Sequence, residues 1–154
     1  MERITYQDIP AGLFEGLRAI ENKIEGSTLD RSLIELLRLR VSQINRCAYC
    51  VDMHHKELKH LGETDLRLSS LCVWEETPFF SPKEKAVLML AQKLTTLPID
   101  EVDEELFAEL SNHFNKEEIC FLTLAISQIG SWNGLMRVFQ FTPGQYTVQE
   151  EATV

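Results

Sequence analysis

Basic residues are in short supply in this chain: 15 Lys and Arg stand against 24 Asp and Glu, a formal charge of −9. Unassisted binding to nucleic acid or to an anionic membrane needs clustered cations, so neither is expected as a partner. Glycine and proline are few, at seven and five residues, in a composition of 44% apolar and 25% charged residues that is ordinary for a globular protein. No apolar run approaches the length of a bilayer span, and Glu2 and Arg3 do not begin a secretory signal. The expected location is therefore cytoplasmic, in a reducing compartment where paired cysteines are more often catalytic or metal-binding than structural. Neither a Gly-rich phosphate loop nor a CxxCH motif is present, so no flavin, nicotinamide or haem cofactor is expected. Strand-like alternation, repeats and linkers are missing as well, which leaves a single domain over residues 1–154 and an all-α fold.

Helical patterning fills almost the whole length. Residues 8–24 place Ile9, Leu13, Leu17 and Ile20 at helical spacing. A second helix over about 29–44 has Asp30 as its cap and Ile34, Leu37, Val41 and Ile44 as its apolar stripe. A third covers roughly 48–61 and stops at Gly62, and a fourth opens at Thr64 or Asp65 and carries Leu71 and Trp74. Ser81-Pro82-Lys83-Glu84 combines a capping Ser, a first-turn Pro and a Glu three residues on, and starts a fifth helix that runs to about Leu97. A sixth spans about 103–114, and a seventh runs from near Lys116 towards Phe139, followed by a polar tail expected to be loose or packed on a neighbour.

The chemistry-bearing residues cluster at Glu35 and along Cys47-Ala48-Tyr49-Cys50-Val51-Asp52-Met53-His54. On one helix Cys47, Cys50 and His54 share a face, being three and four residues apart. Glu35 precedes Cys47 by twelve residues, ~18 Å of rise in one straight helix, so it reaches the cysteines only if the chain turns between them. Ser42-Gln43-Ile44-Asn45 is the expected turn, with Asn45 capping the next helix. The CxxC then falls in a helix's first turn, where unpaired N–H groups favour a thiolate. Glu35 stands between Ile34 and Leu36-Leu37, and such flanks are expected to raise its pKa and suit it to general-base work. A free imidazole has a pKa near neutrality, which suits His54 to pass a proton between carboxylate and thiol.

Each residue also has a plainer meaning. Glu35 could pair with Arg31, Arg38 or Arg40, and His54 is one of three nearby histidines with His55 and His60. Cys72 and Cys120 are expected to be buried core thiols. Trp74, Phe79 and Phe80, and the pair Phe114 and Phe121, are expected to serve packing. A zinc site from Cys47, Cys50, His54 and Glu35 would usually bring a second close ligand pair, and none is visible, so no metal is expected.

Glu35, eleven residues, Cys47, two residues, Cys50, three residues, His54 resembles the alkylhydroperoxidase D-like (AhpD-like) branch of the carboxymuconolactone decarboxylase family. The resemblance covers nearly the whole chain and extends to the run Leu-Ile-Glu-Leu-Leu-Arg-Leu-Arg, Gly62, Trp74, Phe80-Ser81-Pro82-Lys83-Glu84 and Trp132-Asn133. It implies a compact bundle of about six to seven helices assembled as a homotrimer or homohexamer. It implies a thiol-dependent hydroperoxide reductase in which Cys50 is oxidised to a sulfenic acid, Cys47 resolves it, and His54 and Glu35 relay the proton. The oxidant would be a hydroperoxide, and an external dithiol donor of lipoyl or thioredoxin type would restore the thiols. Two positions depart from the better-characterised peroxidase members: Tyr49 stands where they carry a second His, and Gly134 follows Asn133 where Arg is frequent. A phenol with an ordinary pKa near 10 is a poor base at neutral pH. The alternatives are a dithiol-disulfide reductase or redox sensor with little peroxidase activity, and a catalytically idle oligomeric binding protein.

Overall fold

The computed structural model describes residues 2–98 and 101–148. Among the described residues the chain forms seven α-helices and two short 3-10 turns, with no strand. In order these are a 3-10 turn Tyr6–Asp8, α1 Glu15–Glu25, α2 Arg31–Ile44, α3 Ala48–His60, α4 Asp65–Ser70, a 3-10 turn Leu71–Glu76, α5 Pro82–Thr95, α6 Glu104–His113 and α7 Lys116–Phe139.

The helix starts follow the capping chemistry of the sequence. Asp30 lies in extended backbone and accepts the Leu33 N–H at 3.1 Å, which satisfies one of the orphan donors of α2. Ser81 and Glu84 form a reciprocal capping box around Pro82 at the head of α5, and Asn115 and Glu118 form another at the head of α7. The first helix is shorter than its apolar spacing suggested. Pro10 and Gly12, the latter at a φ of +80°, break residues 9–14 into turns, so α1 begins only at Glu15.

α2 is the central element and packs on α3, α5 and α7. Its two sides feed separate apolar clusters. Leu37 and Val41 meet Val87, Leu122 and Ile129, whereas Leu36 and Leu39 meet Leu58, Leu71, Trp74, Phe80 and Leu88. Leu37 has no exposed surface, so truncating it to Ala would cost ~2–5 kcal/mol. A third cluster gathers Phe14, Met136, Phe139 and Phe141 around Cys47 and Cys50. The N-terminal segment is tied into it, since the backbone N–H groups of Arg3 and Ile4 both donate to the Phe139 carbonyl, at 2.9 and 3.3 Å.

Three expectations change. α7 is long and apolar enough to cross a membrane by length and composition, with a mean hydropathy of 1.3 over its best window, although no such run stood out in the sequence. Leu122, Ala125, Ile126 and Ile129 line the chain's own core, which accounts for much of that apolarity. Cys72 and Cys120 are exposed instead of buried. Non-helical backbone at Val73 interrupts the turn that carries Cys72, and Cys120 lies on the outward face of α7 with Thr123 and Ser127. The stretch after Pro143 is held against α3, because Lys56 Nζ donates to the carbonyls of Gly144 and Tyr146 at 3.2 and 2.9 Å and the Gly144 N–H donates to Asp52 at 2.9 Å. The remainder of the tail expected to be loose or packed on a neighbour, 149–154, lies outside the described residues.

A buried polar tether fixes where α2 ends. Asn133, 1% exposed on α7, donates to Ser42 Oγ at 3.0 Å, and its oxygen accepts from Asn45 at 3.0 Å. Asn133→Ala leaves buried Ser42 and half-buried Asn45 each short of a bond and is expected to cost about 1–3 kcal/mol by urea unfolding. Ser127→Ala on the exposed face should stay within about 0.5 kcal/mol, and an equally small effect at Asn133 would show that the tether contributes little.

Candidate functional site

The site is assembled by the reversal between α2 and α3. The Asn45 N–H still bonds to the Val41 carbonyl at 2.9 Å, so Asn45 ends α2 and does not cap the next helix. Arg46 then takes a φ of +56°, a left-handed conformation uncommon outside glycine, and the chain turns back. That leaves Cys47 in extended backbone as the cap of α3, with its Sγ 3.4 Å from the Cys50 N–H. Cys47 and Cys50 are joined as a disulfide across a Cα–Cα distance of 5.3 Å. Both sulfurs therefore sit at the positive end of α3, which stabilises a thiolate once the bond is reduced.

The antiparallel packing of α3 on α2 brings Glu35 and His54 together. His54 Nδ1 lies 2.7 Å from Glu35 Oε2, and both residues are buried. A carboxylate can only accept, so Nδ1 donates, and in the neutral ring Nε2 carries the lone pair. That Nε2 is buried with no protein partner. The other Glu35 oxygen, Oε1, accepts from Arg38 Nη1 at 2.8 Å. Arg38 and His54 thus both bind Glu35, whereas Arg40 turns to Gln92 at 2.8 Å. His55 and His60 are exposed.

The acidity of Glu35 runs opposite to expectation. Burial pushes its pKa up, but the charge and hydrogen bond of His54, and then those of Arg38, outweigh burial and hold it down at about 2. Glu35 is therefore a fixed carboxylate near neutral pH. Its hydrogen bond to Nδ1 orients the imidazole. Tyr49 is pushed up to about 12, by burial first and then by its neighbour Tyr6, and its ring meets Phe141 edge-on at 5.5 Å. It is a neutral phenol near neutral pH.

A cavity of about 710 Å³ opens beside these groups. Cys50, His54 and Glu35 line it, but Cys47 does not, and Phe14, Ile34, Met53, Trp132 and Met136 give it an apolar wall. Tyr146, from the segment strapped across α3, borders the cavity and donates its hydroxyl hydrogen to Glu57. The sequence carried no signal for that contact, because the two residues are 89 positions apart. Arg38 was visible only as one of three interchangeable ion-pair partners for Glu35.

Comparison with known proteins agrees with this geometry. The profile of the carboxymuconolactone decarboxylase family matches residues 11–93. The uncharacterized Bacillus subtilis protein YdfG is 37% identical over 132 residues, which is 86% of this chain and 90% of its own length. An Agrobacterium tumefaciens protein of unknown function, put forward as an antioxidant defence protein AhpD, superposes with a TM-score of 0.81 at 34% identity, covering 97% of this chain and all of its own. The debrominase Bmp8, solved with 2,3,4-tribromopyrrole, has the same fold at a TM-score of 0.75 and 16% identity, over 85% of this chain and 70% of its own.

The depressed Glu35 pKa has a measurable consequence. Its stabilisation is complete above the ordinary carboxylate value of 4.5 and is lost as the pH falls through the folded value of about 2. The stability gap between the wild type and Glu35→Gln, measured by urea unfolding, should be constant at neutral pH and narrow as the pH drops through that window. A gap that stays the same down to its lower end would show that the carboxylate is not specially held.

Proposed function

The chain belongs to the carboxymuconolactone decarboxylase family, and we propose that within it the protein is a thiol-dependent hydroperoxide reductase. The observation that carries this reading is that Cys50, and not Cys47, lines the cavity, alongside a His54 whose Nε2 is buried and unpartnered. In the reduced protein that nitrogen takes the Cys50 thiol proton. The thiolate attacks the terminal oxygen of a hydroperoxide, the O–O bond breaks, and His54 returns the proton to the departing alkoxide. The products are an alcohol and a Cys50 sulfenic acid. The Cys47 thiol then attacks the Cys50 sulfur, forming the disulfide and releasing water. Both electrons come from the cysteine pair, and an external dithiol of lipoyl or thioredoxin type returns them by exchange. The AhpD-type neighbour named for antioxidant defence favours the same chemistry, in a reducing cytosol. Glu35 acts throughout as the anchor of the imidazole.

Two measurements test this. Cys50→Ser should abolish reaction with organic hydroperoxides, while Cys47→Ser should leave a sulfenic acid that dimedone traps. Faster alkylation of Cys47 than of Cys50 in the reduced protein would reverse the assignment. Disulfide exchange with dithiols but no thiol loss in peroxide would point to a reductase instead.

We further propose a homo-oligomer, a trimer or hexamer. Only 39% of the most apolar window of α7 is buried within the chain, and Val138 on that helix is 59% exposed. Light scattering at micromolar concentration should return about three or six times the chain mass of 17.7 kDa, and a mass equal to one chain would rule the assembly out.

A further inference from the structure

The polar contacts do not stop at Glu35. Arg38, 5% exposed, lies one helical turn beyond Glu35 on the same face of α2. While its Nη1 bonds to Glu35, its Nη2 lies 2.5 Å from Oε1 of Glu21 on α1, an ion contact outside hydrogen-bond geometry. Glu21 is held in turn from α7, where Gln128 Nε2 donates to its other oxygen and to the Leu17 carbonyl at 3.2 Å. One line of contacts therefore crosses four helices, from Gln128 through Glu21, Arg38 and Glu35 to His54. All five residues border the cavity that Cys50 faces.

We propose that Arg38, braced by Glu21 and Gln128, is the positioning residue of the thiol site: its fork fixes the carboxylate that orients His54 and sets the pH at which Cys50 becomes reactive. The proposal rests on the relay described above and adds the residues that control it. Arginine suits the task because its planar guanidinium can face two carboxylates at once, which the point charge of a lysine cannot do. Without it, Glu21 and Glu35 would face one another across a poorly solvated gap as like charges, and each would hold a proton more tightly. The sign at the thiol follows from charge alone. Removing the buried cation strengthens the net negative field, so the relay keeps its proton to higher pH. Removing Glu21 leaves the cation less compensated, and the relay gives up its proton at lower pH.

The other charged groups facing the site are accounted for. α1 also contributes Arg18 and Glu25 to the cavity wall. α2 contributes Arg31, which pairs with Glu57 of α3 at 3.3 Å. The N-terminal 3-10 turn adds Tyr6, α3 adds Tyr49, and the C-terminal segment adds Tyr146; Tyr49 is pushed up by burial and Tyr146 by burial and its bond to Glu57, so these two phenols stay neutral. α7 presents the uncharged Gln128.

The experiment reads the rate of Cys50 carbamidomethylation by iodoacetamide against pH, in the reduced Cys47→Ser protein. Peptide mass mapping separates Cys50 from the exposed Cys72 and Cys120. Arg38→Gln should move the midpoint up by about one pH unit, and Arg38→Lys, which restores the charge without the fork, should bring it only part of the way back. Glu21→Gln should move it down. A midpoint unmoved in Arg38→Gln, with only a fall in thermal stability, would overturn the proposal. If Arg38→Gln fails to fold, Glu21→Gln decides alone, and an unmoved or raised midpoint there overturns it. Shifts of the stated signs in a protein that turns over no hydroperoxide would uphold the positioning role and defeat the peroxidase reading.

Discussion

The bond between Glu35 and His54 crosses from the middle of α2 to the middle of α3, and it dictates how the rest of the molecule is arranged. A carboxylate and an imidazole can share a buried proton only if the two helices run back to back at close range. That needs a tight reversal, which Arg46 supplies by accepting a left-handed backbone. The reversal leaves Cys47 extended at the head of α3 and places Cys50 one turn before His54. The buried carboxylate also needs a permanent cation, because burying an uncompensated charge would cost several kcal/mol. Arg38 fills that need from the same helix.

The cost of this polar centre is offset by the apolar material on either side of it. Leu36 and Leu37 lie on the faces of α2 that turn away from Glu35 and Arg38, so one helix serves two cores and one reactive site. The Asn133 contacts to Ser42 and Asn45 hold the end of α2 against α7, immediately before the reversal. The geometry of the cysteines thus depends on a polar contact to a helix about ninety residues away.

Burial shapes the chemistry as well. Cys47 and Cys50 are each only 1% exposed, closed in by Phe14, Met136, Phe139 and Phe141. A reactant therefore meets Cys50 through a space with largely apolar walls, in which charges act over short distances with little screening. In that setting the charge two contacts away from the imidazole matters, and Arg38 and Glu21 become part of the site although neither touches sulfur.

The sequence by itself determined the all-helical fold, the caps at Asp30 and Ser81, and the membership of Glu35, Cys47, Cys50 and His54 in one cluster. These are matters of local spacing and end chemistry, which a few neighbouring residues decide. It also required a turn between Glu35 and Cys47, since a straight helix could not join them. The tertiary structure decided what local spacing does not encode. Apolar flanks suggested a raised Glu35 pKa, but the His54 and Arg38 contacts made by the fold reversed the sign. Asn45 looked like a cap, but the left-handed Arg46 handed that role to Cys47. Cys72 and Cys120 looked like core residues, but a break at Val73 and the outward face of α7 exposed them. Electrostatics and exposure depend on every element packed around a residue, and those elements come from distant parts of the chain.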